Sequence, residues 1–139
     1  MSKKIVIVDD DKAALKLLKI FLRKHKFQVF CAENGAKGYD LVKKEKPDIL
    51  ITDLLIPKIH GLDLSRKVKD DPELEGVKVV LMSGLYRKTT FRDEIEGSDA
   101  DDFIKKPIDL KHLKNLIDKL LGMKKEKNLD KAPDFYEVD

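Results

Sequence analysis

Cysteine occurs once among the 139 residues, at Cys31, and tryptophan does not occur at all. A lone thiol excludes an internal disulfide and is compatible with a reducing compartment; Cys31 is expected to pack as a small apolar side chain. Long apolar runs are missing too. The run IVIV near the amino terminus is too short for a signal-peptide core and meets carboxylates at once, and no stretch reaches the length of a membrane span. A cytoplasmic protein with no membrane contact is therefore expected. Neither sign of charge dominates: 29 Lys and Arg face 26 Asp and Glu, a net +3 with the signs interspersed, which argues against direct binding to nucleic acid. His25, His60 and His112 fall on separate elements and lack the spacing of metal ligands. No GxxxxGK[ST] phosphate loop and no helix-turn-helix module is found, so output is expected to pass through protein contacts.

What remains is a highly charged sequence with enough apolar content for one core: 42% hydrophobic residues and 40% charged. A chain of this length is expected to bury roughly two-thirds of its unfolded surface, enough for one independent domain. Lys4–Asp9 reads as a strand closed by acids, and Lys12–Lys24 as a helix with Ala13, Leu17, Ile20 and Phe21 at helical spacing. Phe27–Ala32 reads as a second strand, and Asn34 as the cap of a helix that Pro47 stops. Asp48–Asp53 has the pattern of a buried strand; a loop with Pro57 and Gly61 leads to a short helix over about Leu62–Lys69. Val77–Met82 is the fourth strand, Leu85–Glu96 a polar and weakly helical segment, Asp102–Lys105 the last strand and Leu110–Leu121 a clean amphipathic helix. Apolar strands alternating with helices predict a doubly wound α/β domain, a parallel sheet with helices on both faces. The domain is expected to span 1–122, with 123–139 as a charged, flexible tail.

Ligands of such folds bind beyond the carboxyl ends of the strands. The first strand ends in Asp9, Asp10 and Asp11, the third in Asp53, the fourth at Ser83, and the fifth leads into Lys106 and Pro107. Carboxylates gathered at one edge repel one another unless a cation intervenes. A hard divalent ion suits oxygen ligands, and Mg²⁺ is usually held by one or two carboxylates, here Asp10 and Asp53, plus a phosphate. The Lys106 ammonium and the Ser83 hydroxyl could offset the charge of a phosphoryl group on Asp53. Asp11, just before Lys12, is expected to cap the first helix rather than join the metal site.

VDDD after the first strand, ITDLLIP around Asp53, MSG after the fourth strand and FIKKP after the fifth together resemble the receiver domains of two-component response regulators, in the stand-alone, chemotaxis-regulator-like form. The resemblance covers about Lys3–Leu121. It implies a flavodoxin-like sheet in the order 2-1-3-4-5 and a phosphoacceptor, Asp53, that takes its phosphoryl group from a phosphohistidine on a sensor kinase or phosphotransfer protein. The protein would catalyse only its own modification and dephosphorylation. Asp10 is implied as a direct Mg²⁺ ligand, Asp9 as one acting through water, and the backbone carbonyl of Leu55 as the third protein contribution. Ser83 and Phe103 match the family's switch residues, Lys106 its phosphoryl-pairing cation, and Lys106-Pro107 its cis peptide. Phosphorylation would then remodel the surface around the fifth strand and the helices flanking it, to control an effector protein as a monomer or a phosphorylation-dependent dimer.

An aromatic on a strand of a small domain is usually ordinary core, and for Phe103 it is the resemblance that favours the switch role. Tyr86, Arg87, Lys105 and Lys111 fit either a target-binding face or a solvated one, and Phe135-Tyr136 either a docking element or a plain tail. Leu55 and Leu85 are apolar at positions that in this family influence access of hydrolytic water, which implies slow loss of the phosphoryl group. A phosphatase acting on an external substrate through an aspartyl phosphate is disfavoured, because Asp9, Asp10 and Asp11 run into Lys12 and Ala13 rather than a DxDx[TV] loop.

Overall fold

The computed structural model describes residues 2–84 and 99–123. The segment expected to be helical at Leu85–Glu96, with Leu85, Tyr86 and Arg87, and the tail from residue 124 onward, with Phe135 and Tyr136, lie outside the described residues. The chain divides into two compact units, Met1–Ile108 and Asp109–Asp139.

The first unit holds β1 (Lys4–Val8), α1 (Lys12–Lys24), β2 (Gln28–Ala32), α2 (Gly35–Glu45), β3 (Ile49–Asp53), α3 (Gly61–Asp70), a 3-10 turn (Pro72–Leu74), β4 (Lys78–Ser83) and β5 (Asp102–Lys105). All five strands are parallel in the order β2-β1-β3-β4-β5, the flavodoxin-like arrangement. Residues from Ile5 to Val8, Ile49 to Ile51 and Val79 to Met82 are wholly inaccessible, as expected where a parallel sheet is covered on both faces. Side chains alternate across the sheet: Val6, Val8, Leu50, Val79 and Leu81 join Val42 of α2 and Leu64 and Val68 of α3 in one cluster. Leu15, Leu18 and Leu22 of α1 are buried outside that cluster.

That stripe of α1 differs from the expected one. Leu17 and Ile20 are 56% and 50% exposed and Ala13 is exposed, so of the expected set only Phe21 is half-buried. The helix carries two overlapping apolar stripes, and helical spacing alone does not say which one meets the sheet.

Helix ends follow the local chemistry. Asp11 caps α1, its carboxylate accepting from Ala13 and Ala14 N–H at 3.0 and 3.3 Å, and Asn34 caps α2 through Lys37 N–H at 2.9 Å. His60 caps α3, its Nδ1 accepting from Leu62 N–H at 3.3 Å, which places the ring proton on Nε2. The far end of α1 closes with paired bonds, Lys26 N–H to Arg23 O and Phe27 N–H to Leu22 O, at 3.0 and 3.2 Å. Lys26 stands there at φ 72°, where glycine is the usual occupant.

The second unit is described for one helix, α4 (Leu110–Leu121), capped by Asp109 and closed by Gly122 at φ 66°. Its Lys114 and Asp118 form a buried ion pair one turn apart, with Nζ 2.8 Å from both carboxylate oxygens.

Candidate functional site

Consecutive strands step to opposite sides of β1: the chain passes from β1 to β2 on one side and then to β3 on the other. This reversal opens a crevice at the carboxyl ends of β1 and β3, the place where folds of this kind bind ligands. Asp9 and Asp10 follow β1, and Asp53 is the last residue of β3. One carboxylate oxygen from each of the three lies within 4.8 Å of the others.

The three acids sit in unlike surroundings. Asp9 is fully buried, Asp53 half-buried and Asp10 exposed. Asp9 Oδ1 accepts from Asp11 N–H at 3.0 Å, which fixes the turn from strand to helix. Its Oδ2 meets Lys106 Nζ at 2.8 Å, and the same ammonium lies 2.9 Å from Asp53 Oδ2. One cation thus joins two carboxylates from different strands. Burial alone would lower the Lys106 pKa, but the hydrogen bonds to Asp9 and Asp53 and the charges behind them outweigh it, so the group is raised above an ordinary lysine and stays protonated. Among the described residues, Asp53 Oδ1 receives only a long bond from Leu55 N–H, 3.4 Å, and is the less encumbered oxygen of the pair.

Lys106 is aimed by the backbone. Its N–H donates to Ser83 O at 2.9 Å, tying the end of β5 to the end of β4, and its peptide bond to Pro107 is cis, as the sequence resemblance implied. Ser83 is the last residue of β4 and is 3% exposed. Phe103 is half-buried on β5 and packs against the cluster beneath α2 and α3, while Leu55 projects outward, 51% exposed. The expected residues Asp9, Asp10, Asp53 and Lys106 therefore meet at one point, Ser83 borders it through the backbone bond to Lys106, and Phe103 belongs to the apolar layer below.

The close backbone contacts of two glycines, Gly35 and Gly61 at the starts of α2 and α3, escaped sequence reasoning. A Cβ on Gly61 would run into the carbonyl oxygen of Asp53 and lie 2.8 Å from Leu54 Cα, and Gly61 N–H donates to Leu54 O at 2.9 Å. A Cβ on Gly35 would strike Ile59 O, while Gly35 N–H donates to Pro57 O at 3.0 Å. These contacts clamp the loop that leaves Asp53 from both sides. The signal in the sequence was a glycine beside each helix start, which a loop or turn explains equally well.

The family model for the response regulator receiver domain matches residues 5–118. The chain belongs to that family. Receivers are signalling switches of two-component systems rather than enzymes acting on external substrates. The chain is similar to PilH of Pseudomonas aeruginosa, 32% identical over 121 residues that cover 86% of this chain and 98% of PilH. It is also similar to the response regulator PleD of Caulobacter vibrioides, 36% identical over 111 residues, 78% of this chain but 24% of PleD. Among solved structures, the receiver domain of the sensor histidine kinase PA1611 from Pseudomonas aeruginosa, which has a magnesium ion coordinated in its active-site cleft, superposes with a TM-score of 0.79 at 16% identity, covering 88% of this chain and 99% of that one. At that identity the likeness establishes the fold. No helix among the described residues is long and apolar enough to cross a membrane.

Proposed function

We propose that this receiver accepts a phosphoryl group on Asp53 from a phosphohistidine of a sensor kinase or phosphotransfer protein. The observation that carries the reading is the Lys106 ammonium held between Asp9 and Asp53, beside a third carboxylate. Asp53 Oδ1 attacks phosphorus, the P–N bond breaks, and the electron pair leaves with the imidazole of the donor. Lys106, fixed on Oδ2 and on Asp9, orients the nucleophile and offsets the charge that arrives with the phosphoryl oxygens.

The donor set fits Mg²⁺. All three side chains offer hard carboxylate oxygens, close enough together for one small ion, and the crevice is open on the Asp10 side. Asp10 and Asp53 would hold it directly, Asp9 through water, and the Leu55 carbonyl would complete the protein's share. The bound ion would supply charge neutralisation for the transferred group. The magnesium ion in the PA1611 receiver supports this assignment.

In the modified protein Ser83 turns its hydroxyl to the phosphoryl group, Lys106 pairs with it, and Phe103 repacks. The surface near β5 then changes for an effector protein. In this reading the receiver spans 1–122, and 123–139 forms its charged tail. Incubation with acetyl phosphate and Mg²⁺ tests the assignment: wild type should gain one acid-stable, hydroxylamine-labile phosphoryl group, and Asp53→Asn none. Equal labelling of the variant, or labelling indifferent to chelation of Mg²⁺, would refute it.

A further inference from the structure

The outer edge of the sheet carries an arrangement that the phosphoacceptor site does not use. Among the described residues, β2 is bonded to β1 alone. Gln28 N–H donates to Lys3 O at 2.9 Å, and Ala32 O accepts from Asp9 N–H at 3.1 Å, so the even-numbered residues of β2 turn their backbone groups inward. In a parallel ladder the alternate residues then direct N–H and C=O to the open side, which assigns Val29 and Cys31 to the edge. The side chain of Arg23 agrees, its Nη2 donating to Val29 O at 3.3 Å.

Two grooves border this strand, one towards each of its ends. One of about 410 Å³, next to α1, is lined by Arg23, Lys26 and Phe27. The other, about 340 Å³, lies next to α2 and is lined by Cys31, Lys37, Asp40, Leu41 and Lys44. A strand added along β2 would pass both grooves and bring side chains to each. The rim is cationic, with Arg23, Lys26, Lys37 and Lys44 against the single carboxylate of Asp40. Those cations decide the occupant. A second copy would bring the same four cations against them, since like charges across paired strands repel and basic residues on an edge oppose self-association. An extended segment rich in Asp or Glu would meet opposite charge in both grooves.

We propose that the β2 edge docks an acidic, extended peptide segment of a partner protein by strand addition. Val29 and Cys31 supply the backbone bonds, Arg23 moves from Val29 O to an incoming carboxylate, and Lys37 and Lys44 fix the side chains on the α2 side.

The test uses the full chain, ¹⁵N-labelled, titrated with a blocked heptapeptide that alternates glutamate with valine and threonine, and with its lysine counterpart, at about 0.15 M salt. The glutamate peptide should bind saturably, shift the Val29 and Cys31 amides, and slow exchange of the Cys31 N–H about tenfold or more. Lys37→Glu with Lys44→Glu should weaken binding about tenfold or more. Cys31→Pro, which removes an outward N–H at a position where an edge strand tolerates proline, should abolish it. If that variant unfolds, the lysine pair alone decides. Failure of the glutamate peptide to bind, equal binding of the lysine peptide, or shifts confined to lysine side chains without slowed exchange would overturn the proposal and leave the cations as a guard against aggregation.

Discussion

Replacing Lys106 by methionine keeps the stem of the side chain and removes the charge that joins Asp9 to Asp53. With their oxygens within 4.8 Å, two unit charges repel by about 3.5 kcal/mol at an effective dielectric near 20. The Lys106 side chain keeps 26% of its exposure, so water already screens part of this. Discounting the figure by roughly half leaves a destabilisation of about 2 kcal/mol, which for a domain of this size lowers Tm by about 6–8 °C. Calorimetry at neutral pH with and without Mg²⁺ reads it. The ion should raise Tm more in Lys106→Met than in wild type, because in the variant no ammonium already offsets the carboxylates. The pH dependence has a definite sign. The folded Lys106 pKa is raised, so its contribution is complete below the ordinary value of 10.5 and is lost as pH rises through the folded value. The stability gap between the two proteins should close in strong alkali. A Tm within about 1 °C of wild type, or an identical response to Mg²⁺, would refute the charge-balance account.

Lys26→Gly should stabilise the chain by about 1 kcal/mol, since glycine carries no steric cost at a left-handed helix terminus; the urea midpoint should rise with m unchanged. Asp71 accepts from Tyr39 Oη at 2.8 Å and from Lys43 Nζ at 2.7 Å, and Lys43, then Tyr39, hold its pKa down from 3.8 to about 2. Its contribution is present above 3.8 and lost as pH falls through about 2, so acid titration of Asp71→Asn should show a smaller loss of stability over that window than wild type. Leu55, exposed two residues after Asp53, should slow hydrolysis of the phosphoryl group. Phosphorylated Leu55→Asn should decay several-fold faster than wild type, about 1 kcal/mol in barrier, and equal decay rates would remove Leu55 from the explanation.

The edge that gathers Asp9, Asp10, Asp53 and Lys106 was legible because its residues lie at strand ends. A strand that stops in carboxylates and another that stops in Lys-Pro announce themselves without knowledge of packing, and parallel topology then brings those ends together. Contacts made by side chains on one continuous helix were less legible. The stripe through Leu17 and Ile20 satisfies helical spacing as well as the stripe through Leu15, Leu18 and Leu22, and only the sheet beneath distinguishes them. The clamp formed by Gly35 and Gly61 was hidden for a different reason. Each glycine answers to a backbone segment far from it or around a turn, and a sequence shows which residues are small without showing what approaches them. His60 likewise read as an anonymous loop residue, because an imidazole that caps a helix through Nδ1 leaves no spacing pattern.

Lys106 and Asp9 are 97 residues apart along the chain, and their contact is made only when the last strand of the sheet has joined the rest. Pairings of such span are slow to form, because the loop must close before the contact can reward it. A chain in which β5 has not yet joined β4 would display Asp53 without this cation beside it. Under the proposed function, the ammonium that balances two acids would also mark the copies whose sheet is complete.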